Sequence, residues 1–319
     1  MVTWKTQKEG LKESLDYLRG RRDGLITSIK TPWIKFNDAT TDGLEWNTLT
    51  VIGGRPGSGK TLIKDQIIRE AFVLNPKEDF NVLEFQLEML ARTSAVREYS
   101  AILGKSYKYL CSADGVLSED DLQRCFEYAK KKVGLPIDIV EEPVTVDEFK
   151  EIIERYMFEK RVLGSYVKTI ITLDHSILLR KKSGQQRMDA LSELGEVLTE
   201  LKRKYPILFI ILSQLNRNVD NPERTEDGKY SNYILESDIF GGDALLQHAD
   251  TVVGINRPAR QKIKFYGPDR YIINDETVLV MHFLKCRNGD TRMSFFKAEF
   301  NRMRIIESET PPQAKIKMN

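Results

Sequence analysis

Leu49-Thr50-Val51-Ile52-Gly53-Gly54-Arg55-Pro56-Gly57-Ser58-Gly59-Lys60-Thr61 decides the reading of this chain. A short β-favouring apolar run breaks into a turn of glycine and proline. An apolar-periodic segment follows, with Leu62, Ile63, Ile67, Ile68 and Phe72 at helical spacing. Strand, turn and helix are the context in which G-x-x-x-x-G-K-[ST] acts as a phosphate-binding loop, and residues 54–61 fit that pattern. Glycines lack Cβ, so backbone N–H groups can close around phosphate oxygens while the helix points its positive end at them. Lys60 is expected to reach the β- and γ-phosphates, and the Thr61 hydroxyl to hold Mg²⁺. Gly54, Arg55, Pro56, Gly57, Ser58, Gly59, Lys60 and Thr61 thus form the expected nucleotide set, with ATP and Mg²⁺ as ligands.

Outward from this loop, the spacing predicts an amphipathic helix over 5–19 carrying Leu11, Leu15 and Leu18 on one face. That face is expected to pack on its own domain or on a neighbouring subunit. Downstream come strands at 80–86, 137–140, 167–173, 207–212 and 251–255, and helices at 91–103, 119–132, 146–157 and 188–205. Ser118-x-x-Asp121 and Thr145-x-x-Glu148 read as capping boxes. Several strands are apolar throughout, which predicts an α/β fold with a mostly parallel twisted sheet covered on both faces. Near the end, runs at 278–284 and 293–300 flank Asn288-Gly289, a signal for an antiparallel hairpin with a type I′ turn.

The 319 residues divide as a linker-like helix (1–30), one ATPase domain (31–306) and a loose tail (307–319). A net charge of +2 confines any nucleic-acid site to a local patch. There is no apolar leader and no run long enough to span a bilayer, so a cytoplasmic protein is expected, in a host cell if phage-encoded. Cys111, Cys125 and Cys286 are scattered without a CxxC pair, and each is read as a small buried apolar residue.

Hydrolysis needs further groups at the carboxyl ends of parallel strands. Asp174 ends the run Thr169-Ile170-Ile171-Thr172-Leu173, the Walker B form, and is expected on Mg²⁺. Glu88 follows the strand next after the phosphate loop and could polarise the attacking water. Gln214 follows 207–213, where an uncharged amide can bond a γ-phosphate and release it. His175 is read as structural.

In order along the chain stand the phosphate loop, Gln86-Leu87-Glu88-Met89, the run to Asp174, Leu212-Ser213-Gln214-Leu215-Asn216-Arg217, Ala249-Asp250-Thr251-Val252-Val253 and Lys285-Cys286-Arg287-Asn288-Gly289. This set resembles the RecA-like C-terminal domain of DnaB-type replicative helicases, over most of the chain. The resemblance implies a RecA-like P-loop NTPase and a homohexameric ring around single-stranded DNA, with ATP hydrolysed between subunits. It implies Glu88 as the catalytic glutamate, Gln214 as the γ-phosphate sensor, and Lys285 and Arg287 as the basic pair entering the neighbour's site, Arg287 being the arginine finger. It places Arg180, Lys181, Lys182, Arg187 and Arg217 in loops facing the DNA channel.

The sequence departs from the family in places. About fifty residues precede the loop, too few for the helical domain that meets primase, so primase and other replication proteins are expected partners without that route. His175 stands where Tyr is common. Phe240 and Gly241 replace an Arg-Glu pair, so contact with DNA there is expected to rest on backbone amides or to be weaker. The core motifs also admit a strand-exchange recombination ATPase, or an ATP-gated DNA-binding assembly factor.

Overall fold

A computed structural model describes residues 4–176, 179–216, 219, 221, 224, 233–240, 242–308 and 312. In chain order it places helices α1 (Gln7–Arg22), α2 (Ile34–Ala39), α3 (Lys60–Leu74), α4 (Ala91–Leu103), α5 (Tyr107–Cys111), α6 (Glu119–Val133), α7 (Val146–Glu159) and α8 (Arg187–Lys204). The strands are β1 (Leu49–Gly54), β2 (Phe80–Gln86), β3 (Ile137–Val140), β4 (Lys168–Asp174), β5 (Ile207–Gln214), β6 (Thr251–Asn256), β7 (Phe265–Tyr266), β8 (Tyr271–Ile272), β9 (Val278–Cys286), β10 (Arg292–Glu299) and β11 (Arg304–Glu307).

Nine strands form one sheet in the order β11-β10-β9-β6-β1-β5-β4-β2-β3. From β6 to β3 every pairing is parallel, and β9, β10 and β11 add antiparallel strands at one side. The alternation of side chains explains the apolar strands. In β5, Ile207, Phe209 and Ile211 point into a core shared with α7 and α8. Leu208, Ile210 and Leu212 point into the opposite core under α2 and α3. A strand buried on both faces must be apolar at successive positions rather than alternate ones. A third, smaller cluster joins Tyr266, Val280 and Phe295 beyond β9.

Local signals formed largely as read. Thr145 and Glu148 make a full capping box. Ser118 accepts from the Asp121 N–H, but the Asp121 carboxylate takes the Tyr109 hydroxyl at 2.7 Å instead of returning to the cap. The face of α1 bearing Leu11, Leu15 and Leu18 is exposed (58, 61 and 61 %), so the protein's own domain does not cover it. Cys125 is buried and Cys286 intermediate, but Cys111 is exposed at the end of α5, which corrects that reading. Strand β11 closes one side of the sheet at the end of the range read as the ATPase domain. Gln66 brackets Ile305 through both its amide atoms, and Trp33 Nε1 donates to the Ile305 carbonyl.

The β9–β10 hairpin is present, but not with a two-residue turn. Five residues, 287–291, connect the strands, and neither Asn288 nor Gly289 has positive φ. The glycine is needed for a different reason. A Cβ on Gly289 would lie 2.2 Å from the Ala39 carbonyl oxygen. The turn is docked there by Asp290 N–H on Ala39 O (2.9 Å), Thr41 Oγ1 on Asn288 O (3.1 Å) and Asn288 Nδ2 on Glu45 Oε2 (3.0 Å). Gly289→Ala is expected to destabilise the protein by about 1–3 kcal/mol through this backbone clash, measured by urea unfolding.

Candidate functional site

The parallel strands bring their carboxyl ends to one edge. Gly54 is in register with Gln214 of β5 and Ile255 of β6, and Gln86 with Asp174. A cleft of about 360 Å³ opens there, lined among others by Lys60, Thr61, Glu88, His175, Gln214 and Arg257. Four of the residues expected to carry chemistry, Lys60, Glu88, Asp174 and Gln214, thus meet at one edge of the sheet.

The loop has the backbone that its glycines permit. Gly57 and Gly59 have φ of 71° and 106°. A Cβ on Gly54 would lie 2.3 Å from Ser58 Oγ, and one on Gly57 only 1.8 Å from Arg260 Nη1. Lys60 is buried and folds back to donate to Gly54 O (2.8 Å) and Arg55 O (3.3 Å). Burial pushes its ammonium down to about 8, against the pull of Asp174 and Glu88. Burial likewise pushes the Asp174 carboxyl up to about 6; Asp65 and Glu88 add to the rise, while Lys64 and Lys60 oppose it. Asp174 is 2 % exposed. Its Oδ1 and the Ser58 hydroxyl are buried without a partner among the described residues. Two orphaned oxygen atoms beside a glycine cradle fit a site for phosphate and a hard cation.

Beneath the loop lies a buried ion pair that the sequence reading did not find. Lys64, one turn along α3 from Lys60, is fully buried and meets Asp65 at 2.6 Å and Glu84 at 2.8 Å. Burial works against the Lys64 charge, but Asp65, Glu84 and Asp174 outweigh it and raise its pKa well above the usual value. The sequence signal was an acid, Glu84, between Leu83 and Phe85 in the stretch read as a strand.

His175, read as structural, contacts the expected sensor. Gln214 Nε2 lies 2.8 Å from His175 Nε2. The amide N–H donates, so the ring hydrogen sits on Nδ1, which is buried with no partner among the described residues. Burial, helped by the Lys60 charge, lowers the pKa of His175 and keeps the ring neutral. Its φ of 80° is unusual outside glycine and fixes the ring's direction after β4. Arg257 and Arg260, beyond the carboxyl end of β6, both donate to Gly57 O (3.1 and 3.0 Å). Arg257 also stacks on Phe300, 3.7 Å from the ring centroid. The strand-end rule that located Gln214 would also have located Arg257.

Lys285 and Arg287 are elsewhere. Cys286 pairs with Thr251, and Thr251 with Thr50, four residues before Gly54. At about 3.3 Å per residue, the basic pair stands about 13 Å down the sheet from its own phosphate loop. Arg287 is 54 % exposed at the side chain and meets Asp250 at 3.1 Å. Lys285 is half-buried, donates to the Leu246 carbonyl, and has its pKa lowered by burial and then by Arg287.

The expected DNA contacts are mostly engaged within the chain. Arg180 pairs with Glu148 (2.7 Å), and Lys182 with Asp147 (2.9 Å) and Glu193 (2.6 Å). Arg187 donates to the Leu179 carbonyl at 2.7 Å. Lys181 is exposed and makes no ion pair among the described residues. Arg217 and Gly241 lie outside the described residues. Phe240 N–H donates to Gln214 O at 2.7 Å, so the chain returns to the end of β5.

A parallel sheet with a glycine-rich phosphate loop at the end of an inner strand defines a RecA-like P-loop NTPase. The family model of the DnaB-like helicase C terminal domain matches residues 28–304, and the chain belongs to that family. The replicative DNA helicase DnaB of Helicobacter pylori is 28% identical over 257 residues, 78% of this chain and 48% of that protein. The Geobacillus stearothermophilus DnaB is 27% identical over 304 residues, 92% of this chain and 61% of that protein. The chain therefore spans about half to three-fifths of these relatives. Among solved structures, a DnaB-like replicative helicase described with its primase interactions has a TM-score of 0.77 at 17% identity, covering 96% of this chain and 68% of that one. A second solved structure, of an ATPase domain on its own, has a TM-score of 0.76 at 16% identity, covering 94% of this chain and 99% of that one. No helix among the described residues is long and apolar enough to cross a membrane.

The raised Asp174 pKa carries a stability prediction with a definite sign. The folded protein favours the protonated acid, so this group costs stability above about pH 6 and nothing below its ordinary value of 3.8. Without nucleotide or metal, Asp174→Asn is expected to stabilise the fold by about 1–3 kcal/mol at pH 8. The gain should vanish as pH falls from 6 to 4, read by urea unfolding across that range.

Proposed function

We propose that this chain is the motor domain of a replicative DNA helicase: a homohexameric ring that translocates on single-stranded DNA and separates duplex with ATP hydrolysed between subunits. The observation that carries this reading is the division of charge in one protomer. Lys60, Glu88, Asp174 and Gln214 gather at one edge of the sheet. Lys285 and Arg287 stand at the other, out of reach of their own cleft. Head-to-tail packing of copies would bring one protomer's Arg287 to the next protomer's cleft, and such packing forms a ring where the rotation between copies closes and an open filament where it does not. Family membership favours this over strand exchange or a passive assembly factor.

In this reading Lys60 leaves the Gly54 carbonyl to bond the β- and γ-phosphates. Thr61 and Asp174 hold Mg²⁺, which neutralises phosphate charge when bound. Glu88, exposed at the cleft, orients the attacking water. Gln214 bonds the γ-phosphate with its amide steadied by neutral His175, and the Arg257–Phe300 stack offers the nucleobase a planar wall. Arg287 of the adjacent protomer meets the charge that develops on the transferred phosphoryl group. Because Gln214 O also holds Phe240 N–H, release of the γ-phosphate is felt at the returning chain. Arg180, Lys181, Lys182, Arg187 and Arg217 are the proposed DNA set, neutralising phosphates without reading sequence, and the exposed ion pairs of Arg180 and Lys182 are weak enough to give way to phosphate. The exposed leucines of α1 are proposed to pack on the next subunit. Replication proteins including primase are proposed partners, and the cytoplasm the proposed place of action.

With a non-hydrolysable ATP analogue and single-stranded DNA, the particle is expected to have the mass of about six chains; a monomer under these conditions would defeat the reading. Glu88→Gln is expected to lower turnover at least ~100-fold with analogue binding retained. Unchanged turnover would remove Glu88 from its role.

A further inference from the structure

Asp250 is buried and collects more hydrogen bonds than any surface acid needs. Its Oδ2 accepts from the Leu49 N–H at 2.8 Å and pairs with Lys202, which is itself buried. Its Oδ1 accepts from Arg287 Nη1 at 3.1 Å. Its backbone completes the tie: Asp250 N–H donates to Leu49 O (2.8 Å), and Arg287 N–H donates to Asp250 O (2.9 Å). Leu49 is the first residue of β1, whose other end is the phosphate loop. One carboxylate thus touches both the root of the strand that carries a protomer's own nucleotide site and the guanidinium assigned above to its neighbour's.

We propose that Asp250 is a positioning residue that sets the direction of Arg287 from the base of β1. The role rests on the interfacial reading of Arg287 given under Proposed function. Three physical features support it. First, the carboxylate is rigid: three donors from three different elements fix it, and Lys202 is further held by the His248 carbonyl at 3.1 Å. Second, it uses only one Arg287 nitrogen among the described residues, leaving the rest of the guanidinium fork for phosphate oxygens. Third, an ion pair with one half-exposed partner is weak, so an incoming phosphate can compete for the fork while Asp250 still limits its direction. A misplacement of a transition-state group by ~1 Å can lower the rate by as much as ~100-fold.

A double-mutant cycle on the assembled ring tests this, with turnover and affinity for a non-hydrolysable ATP analogue as readouts. Asp250→Asn keeps the shape but provides one acceptor oxygen for three donors. Asp250→Glu keeps the charge beside Lys202 and displaces the carboxylate by one methylene, so it serves if the first variant does not fold. In the natural background either change is expected to lower kcat about 10-fold with analogue affinity unchanged. In an Arg287→Ala background the same change is expected to lower kcat less than ~2-fold further, because its effect runs through the missing guanidinium. An equal loss in both backgrounds would show a general structural role and overturn the proposal, as would no loss in either. If Arg287→Ala alone leaves kcat intact, the interfacial reading itself fails and the positioning role falls with it.

Discussion

Strand β1 is hydrogen-bonded to a parallel neighbour on each side, and its direction decides where every functional charge in this molecule can act. Its carboxyl end opens into the phosphate loop, and the carboxyl ends of β2, β4, β5 and β6 arrive at the same edge because all run parallel to it. Strand β9 runs the other way beside β6, so the cations at its end are delivered to the opposite edge. A bulge between Val252 and Val253 of β6 accompanies this return, with Leu284 as the extra residue before Lys285. No rotamer of Arg287 recovers about 13 Å of strand. The topology therefore keeps Lys285 and Arg287 away from the phosphate loop of their own chain, and the interfacial reading proposed above rests on that separation.

Burial governs the electrostatics of the cleft. Near the loop, Asp65, Glu84, Glu88 and Asp174 face Lys60 and Lys64. Arg97, Arg257 and Arg260 also line the cleft, so no surplus of one sign decides the site, and burial penalises each charge that lacks a partner. Burial is what chiefly raises the Asp174 carboxyl, with Asp65 and Glu88 adding to it, and its Oδ1 is buried without a partner among the described residues. A hard cation would give that oxygen the partner it lacks, which a phosphate would not. The charge of Lys64, below the loop, is trapped by Asp65 and Glu84 and cannot leave for the cleft. Lys60 differs: its partners in the structure are backbone carbonyls, which a phosphate can replace.

What could be read from the residues was whatever depends on neighbours in the chain. The apolar strands announced burial on both faces, and Gly59-Lys60-Thr61 announced an anion site at a helix start. Glu88, Asp174 and Gln214 stood out because parallel strands end where ligands bind. What could not be read depends on side chains from distant elements. The His175–Gln214 contact spans 39 residues and requires the positive φ after β4. Arg257 and Arg260 reach Gly57 across some two hundred residues. Asn288-Gly289 carried the letters of a two-residue turn, but the glycine answers to Ala39, a contact 250 positions away that no local pattern encodes. The ion pairs of Arg180 and Lys182 were not legible either, because their partners Glu148, Asp147 and Glu193 lie on α7 and α8.

The contacts also form one continuous path between the two edges. From Gly54 the chain runs back along β1 to Leu49, whose N–H and carbonyl are both bonded to Asp250. From there the path reaches Arg287, and the turn that follows is held through Asn288 by Glu45, which also accepts from Tyr17 of α1 at 2.7 Å. A rigid central strand can carry a displacement but cannot amplify it, so a signal along this path needs a bistable element at one end. The β1 core offers none, since its side chains are fully packed. On the reading proposed above, the subunit boundary does: Arg287, half-exposed beside the buried Asp250, would turn its remaining nitrogens toward or away from a neighbour's phosphate while the Asp250 bond limits its direction. If sites around a ring are to fire in sequence, the switch belongs at the subunit boundary, with the protomer core serving as the fixed strut between one boundary and the next.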